Sequence, residues 1–150
     1  MLYLYAVCDL GLLRKNLGAD AGSAAKALAA VAKAMARTVP TGKKNGTAPH
    51  NPADYVGVVV RRDAPVSLAN AFLKPIRPDG DGDTIDNSVR ALRRQALRYD
   101  EAYGAGGVLA RATLCLRDGV AEAGKNESLV GSLDELARRV GERVAEGGTS

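Results

Sequence analysis

The chain has 150 residues, 46% of them hydrophobic and 25% charged, which suits one folded domain able to bury about two-thirds of its unfolded surface and excludes wholesale disorder. No uninterrupted apolar run approaches the roughly 18 residues a membrane span requires, and the start MLYLYAVCDL carries no basic leader or cleavage site, so the expected location is the cytoplasm with no membrane partner. The net charge of +4 is unevenly spread, with 14 Lys or Arg against 8 Asp or Glu over residues 26–111 and 5 against 7 over residues 112–150; such a local surplus favours a polyanionic partner.

Residues 2–9, LYLYAVCD, alternate Tyr3 and Tyr5 with Leu2, Leu4, Ala6 and Cys8, which predicts a strand with an aromatic and an aliphatic face. From Ser23 to about Arg37, Ala24, Leu28, Val31 and Met35 recur at helical steps, with Lys26, Lys33 and Arg37 opposite. Pro40 then opens PTGKKNGTAPHNPAD, whose three prolines, two glycines and two asparagines support turns. A loop of that length is long for a plain connector.

Residues 56–60 read as an apolar strand, and Ser67 to Lys74 as a short extended segment. The clearest helix follows: Ile85, Val89, Leu92, Ala96, Tyr99 and Tyr103 alternate steps of four and three, with Arg90, Arg94 and Arg98 on the far side and Asp83 or Thr84 as its N-cap. Gly104, Gly106 and Gly107 stop it, and Val108 to Leu116 alternates as another strand. A last helix begins at Leu133, where Ser132 and Glu135 form a capping box and Leu133, Leu136, Val140 and Val144 an apolar stripe. The order predicts an α+β domain over residues 1–146, a three- to four-stranded, mainly antiparallel sheet with helices packed on one face, in a split βαβ arrangement of ferredoxin type. Residues 147–150 are expected to fray.

Little in the chain points to catalysis or metal binding. Two cysteines and one histidine cannot make a four-ligand zinc site without carboxylates, and Cys8 and Cys115, both in strand-like runs, read as reduced core thiols. Asp79, Asp81 and Asp83 resemble half a calcium loop, but Thr84 stands where such a loop has Gly and Arg90 where it has Glu. His50 lies in a loop without a nucleophile motif beside it. Neither an enzyme nor a cofactor is expected.

The loop PTGKKNGT sets Lys43 and Lys44 beside two glycines, where backbone amides can approach an anion, although its spacing is not that of a Walker loop. The residues alone fit a phosphate grip or a solvated turn. With aromatics at 4% and no Trp, base stacking can contribute little, so any RNA contact would rest on phosphate charge and be independent of sequence.

Three ordered segments, LYLYAVCDLGLLRKNLG at 2–18, VPTGKKNGTAPHNPAD at 39–54 and VSLANAFLKPI at 66–76, together resemble the C-terminal part of CasC, the RNA-binding backbone subunit of type I-E CRISPR Cascade. The resemblance implies a partial RRM-like palm, non-catalytic, that holds a guide RNA while target DNA pairs with its bases. It implies other Cascade subunits as partners and head-to-tail self-association. Family members are more than twice as long, so the chain corresponds to a fragment, and an unpaired sheet edge with apolar surface at Leu2, Tyr3 and Tyr5 is expected to promote association. By the same resemblance Lys43, Lys44 and Asn45 occupy the family's basic loop, and Lys74 and Arg77 the basic end of its AFxKP-like segment; these five are the expected RNA contacts. The alternative is a protein-interaction module that packs against subunits without binding RNA.

Overall fold

The computed structural model describes residues 2–18, 20–38, 51–78, 82–124 and 127–146. Lys43, Lys44, Asn45, His50, Asp79, Asp81 and the tail 147–150 lie outside the described residues. Helix α1 spans Leu10–Asn16 and α2 spans Ala21–Arg37. Each starts at an aspartate whose carboxylate accepts the orphan amides of the first turn: Asp9 from Leu12 N–H at 2.9 Å, Asp20 from Gly22 and Ser23. The Asp20 cap starts α2 two residues before the expected Ser23.

Strand β1 (Tyr55–Arg61) leads to a single 3₁₀ turn at Ala69–Phe72, then to α3 (Thr84–Tyr103), β2 (Val108–Cys115), β3 (Glu127–Val130) and α4 (Leu133–Glu146). In α3, Asp83 accepts from Ile85 and Asp86 N–H, and the Asp86 side chain reaches back to Asp83 N–H, a complete capping box. The helix ends at Gly104, whose φ of 83° and ψ of 143° suit only a residue without Cβ. In α4 the Ser132 hydroxyl accepts from Glu135 N–H at 3.1 Å, while the Glu135 carboxylate accepts from Gly131 N–H at 3.3 Å.

The sheet has the order β1-β2-β3. β1 runs antiparallel to β2, from Tyr55 opposite Cys115 to Val60 opposite Ala110, and β2 runs parallel to β3, from Arg111 beside Glu127 to Leu114 beside Val130. Paired residues share a face. One face therefore carries Val56, Val58, Ala112, Leu114 and Val130, and these pack with Leu136 and Val140 of α4 and Leu28 and Ala32 of α2 into the main core. Lys33 pairs with Asp134 at 2.5 Å across the two helices, and Arg14 of α1 donates to the Val144 carbonyl. The result is the α+β, partial RRM-like palm expected from the sequence, except that the helices do not all share one face: α2 and α4 cover the apolar face, and α3 engages the other through Arg93 and Asp100.

Several local expectations need correction. Residues 2–9 form no strand and join no ladder among the described residues, and Leu2, Leu4, Tyr5 and Val7 are exposed. Alternation gives a strand its two faces; only a neighbouring strand gives it hydrogen bonds. Cys8, carried on this segment, is consequently exposed rather than a core thiol, whereas Cys115 on β2 is half-buried; both are free. Within the segment expected to be extended, Ala71 N–H donates to the Leu68 carbonyl at 2.9 Å and closes the 3₁₀ turn. Val31 of the α2 stripe is 50% exposed, because α4 covers only the part of α2 around Ala24, Leu28 and Ala32.

Candidate nucleic-acid interface

Of the five expected RNA contacts, Lys74 and Arg77 are described, and both are exposed. They sit on the strap that follows the 3₁₀ turn, described over residues 73–78, and three polar contacts hold the turn and the strap, at Leu68 before the turn, at the Asn70 side chain within it and at the Arg77 carbonyl after it. The Tyr3 hydroxyl accepts from Leu68 N–H at 3.4 Å, with the Tyr3 ring stacked obliquely on Phe72 at 5.3 Å. Asn70 Nδ2 donates to the Tyr99 hydroxyl at 3.1 Å, and Asn87 Nδ2 to the Arg77 carbonyl at 3.0 Å. The 3₁₀ turn and the strap are thus tied to α3 at Tyr99 and Asn87, with the Lys74 and Arg77 side chains exposed. Tyr3, read in the sequence as a strand residue, acts as a pin for this turn.

The sheet face opposite α2 and α4 is mixed. Register places Tyr55, Gly57 and Val59 of β1 there, with Arg111, Thr113 and Cys115 of β2 and Glu127 and Leu129 of β3. Side chains of α3 reach across it: Arg93 pairs with Glu127 at 2.7 Å, and Asp100 with Arg111 at 2.6 Å. Thr113 Oγ1 donates to Glu127 Oε1 at 2.7 Å. Burial pushes the Glu127 carboxyl up, but the hydrogen bonds from Arg93 and Thr113 outweigh it and hold the group below its ordinary value. Burial also pushes the Tyr55 phenol up, with Thr113 and Arg93 opposing.

A third tie anchors the start of α3. Arg117, in the turn after β2, pairs with Asp86 at 2.6 Å and with Asp83. Its hydrogen bond to Asp86 chiefly raises the guanidinium's pKa, and the reverse effect lowers that of Asp86. Asp83 is lowered first by the amide of Asp86. The capping aspartate is therefore both a helix cap and an ion-pair partner.

Lys74 and Arg77 are thus exposed on a strap tied to α3 through the Arg77 carbonyl, which suits electrostatic binding of an anionic chain. Among the described residues no group of three His, Cys, Asp or Glu is placed to hold a metal ion, and no helix is long and apolar enough to cross a membrane. The Glu127 network escapes sequence reasoning. Its only local signal, a Glu opening a four-residue strand, does not identify a partner on α3.

A family described as CT1975-like protein matches residues 1–139. The chain belongs to the CT1975-like protein family. Two solved structures are similar to this CT1975-like chain: a CRISPR RNA-guided surveillance complex chain, with TM-score 0.75 and 28% identity over 89% of this chain and 49% of that one, and a chain of a CRISPR RNA-guided surveillance complex, pre-nicking, with TM-score 0.75 and 28% identity over 90% and 35%. The chain thus spans half or less of the length of those relatives. No curated protein matches it. The family match and these similarities bear out the CasC-like resemblance.

Proposed function

We propose that the chain is a non-catalytic portion of a type I-E Cascade backbone subunit that binds guide-RNA phosphates without regard to base sequence, in cytoplasmic antiviral defence. In this reading Lys74 and Arg77, with Lys43, Lys44 and Asn45 of the basic loop, hold the guide backbone. Like subunits pack head to tail, other Cascade subunits complete the assembly, and target DNA is engaged indirectly through the guide's bases. The observation that carries the reading is the family membership combined with two exposed cations on a strap tied to α3 through the Arg77 carbonyl. The low aromatic content of 4% favours phosphate over base recognition.

The alternative, an interaction module without RNA binding, draws support from the exposed apolar side chains of Leu2, Leu4 and Val7. Binding of single-stranded RNA over a salt series separates the two. Lys43→Ala with Lys44→Ala, and Lys74→Ala with Arg77→Ala, are each expected to lower the salt slope by roughly 1.4, at about 0.7 per phosphate contact. Unchanged affinity and slope in both variants would contradict the phosphate assignment, and absence of RNA binding at low salt would favour the interaction module.

A further inference from the structure

Seven described arginines, Arg61, Arg93, Arg111, Arg117, Arg138, Arg139 and Arg143, each form an ion pair with a carboxylate. The outer face of α3 departs from this pattern. Arg90, Arg94 and Arg98 are exposed, and none of the ion pairs among the described residues involves Arg94 or Arg98. Arg90 donates to Asn87 Oδ1 at 3.2 Å and lies within the electrostatic reach of Asp86, which is itself engaged by Arg117. Asp100 is likewise committed inward to Arg111. Glu101, three residues after Arg98, closes the row at its C-terminal end.

The row is continuous with the strap. Asn87 joins them, because its side chain donates to the Arg77 carbonyl and accepts from Arg90. Four residues of helix advance about 6 Å, so Arg90, Arg94 and Arg98 step along α3 at a repeat close to that of successive phosphates on one nucleic-acid strand. Arginine is suited to such contacts, since its planar fork donates to phosphate oxygens in pairs.

We propose that Arg90, Arg94 and Arg98 form a phosphate-binding row that extends the Lys74 and Arg77 strap along α3 and grips a nucleic-acid backbone. The proposal rests on the phosphate-binding reading above, and the test separates the two. The intact chain is titrated, over a salt series, with labelled single-stranded RNA, single-stranded DNA of equal length and duplex DNA. Arg94→Gln with Arg98→Gln is expected to lower the salt slope by roughly 1.4 on a single strand or about 1.8 on a duplex, and the probe that loses most identifies the strand held. Arg138→Gln with Arg143→Gln removes the same charge from α4 and is expected to leave the slope unchanged.

If the Arg94 and Arg98 variant matches wild type on all three probes while Lys74→Ala with Arg77→Ala loses slope, the row is refuted and the strap stands. If the α4 control loses as much slope, net charge explains the effect and the row is refuted. A loss confined to the Arg94 and Arg98 variant keeps the row and removes the strap from the site. Failure of the wild-type chain to bind any probe overturns both.

Discussion

Glu127 is the point where α3, β2 and β3 meet, and replacing it tests whether its contacts with Arg93 and Thr113 form a structural joint. Its side chain is 8% exposed and that of Arg93 is 18% exposed. Exposed pairs such as Arg138 with Glu142 contribute about 0–1 kcal/mol, whereas removing one partner of a buried pair typically costs about 3–5 kcal/mol because the other charge is left uncompensated. Arg93 keeps its bond to the Glu122 carbonyl, so Glu127→Ala is placed at the low end of that range, about 3 kcal/mol. Glu127→Gln retains one acceptor oxygen for Thr113 and Arg93 Nη1 but turns an NH2 donor toward Arg93 Nη2 and Gly124 N–H, and about 1–2 kcal/mol is expected. At about 2–4 °C per kcal/mol for a chain of this size, the alanine variant should melt about 6–12 °C lower. Urea unfolding and thermal melting at neutral pH measure both variants. A loss below about 0.5 kcal/mol for Glu127→Ala, the size of an ordinary surface substitution, would refute the joint.

Acid should act on the same contact. The folded pKa of Glu127 lies below its ordinary value of 4.5, so its contribution is complete above that value and is lost as pH falls through the folded pKa; a Glu127→Gln chain should lose less stability between about pH 5 and about pH 3 than wild type, and equal losses would contradict the assignment. Leu136 is fully buried between sheet and helices, so Leu136→Ala should cost about 2–5 kcal/mol in urea unfolding. Gly104, with φ 83° and ψ 143°, lies where a Cβ is strained, and Gly104→Ala should cost about 1–3 kcal/mol by the same measurement.

The long amphipathic elements are legible because their spacing is itself the packing instruction. Val89 and Leu92 of α3, and Leu136, Val140 and Val144 of α4, are buried as their steps of three and four require, and Arg90, Arg94 and Arg98 are exposed. The Asp83 cap is legible for the same local reason. β3 is not, because ESLV is only four residues long, too short to display a period. Residues 2–9 mislead in the opposite sense, since a clear period of two carries no information about whether a partner strand lies alongside. The strap is half legible: the sequence marks Lys74 and Arg77, but the ties of turn and strap to Tyr3, Asn87 and Tyr99 span 10 to 65 residues of chain and have no local signal. Lys43, Lys44 and Asn45 fall outside the described residues, so the loop rests on its sequence.

The central claim is that the chain recognises phosphate rather than base. The most direct measurement is the equilibrium binding of labelled oligouridylate and oligoadenylate of equal length to the intact chain, from low to physiological salt. Phosphate recognition predicts binding at low salt, a linear fall of log affinity with log salt, and the same slope for both sequences. No binding at low salt, or a strong preference for one base that persists as salt rises, would contradict it.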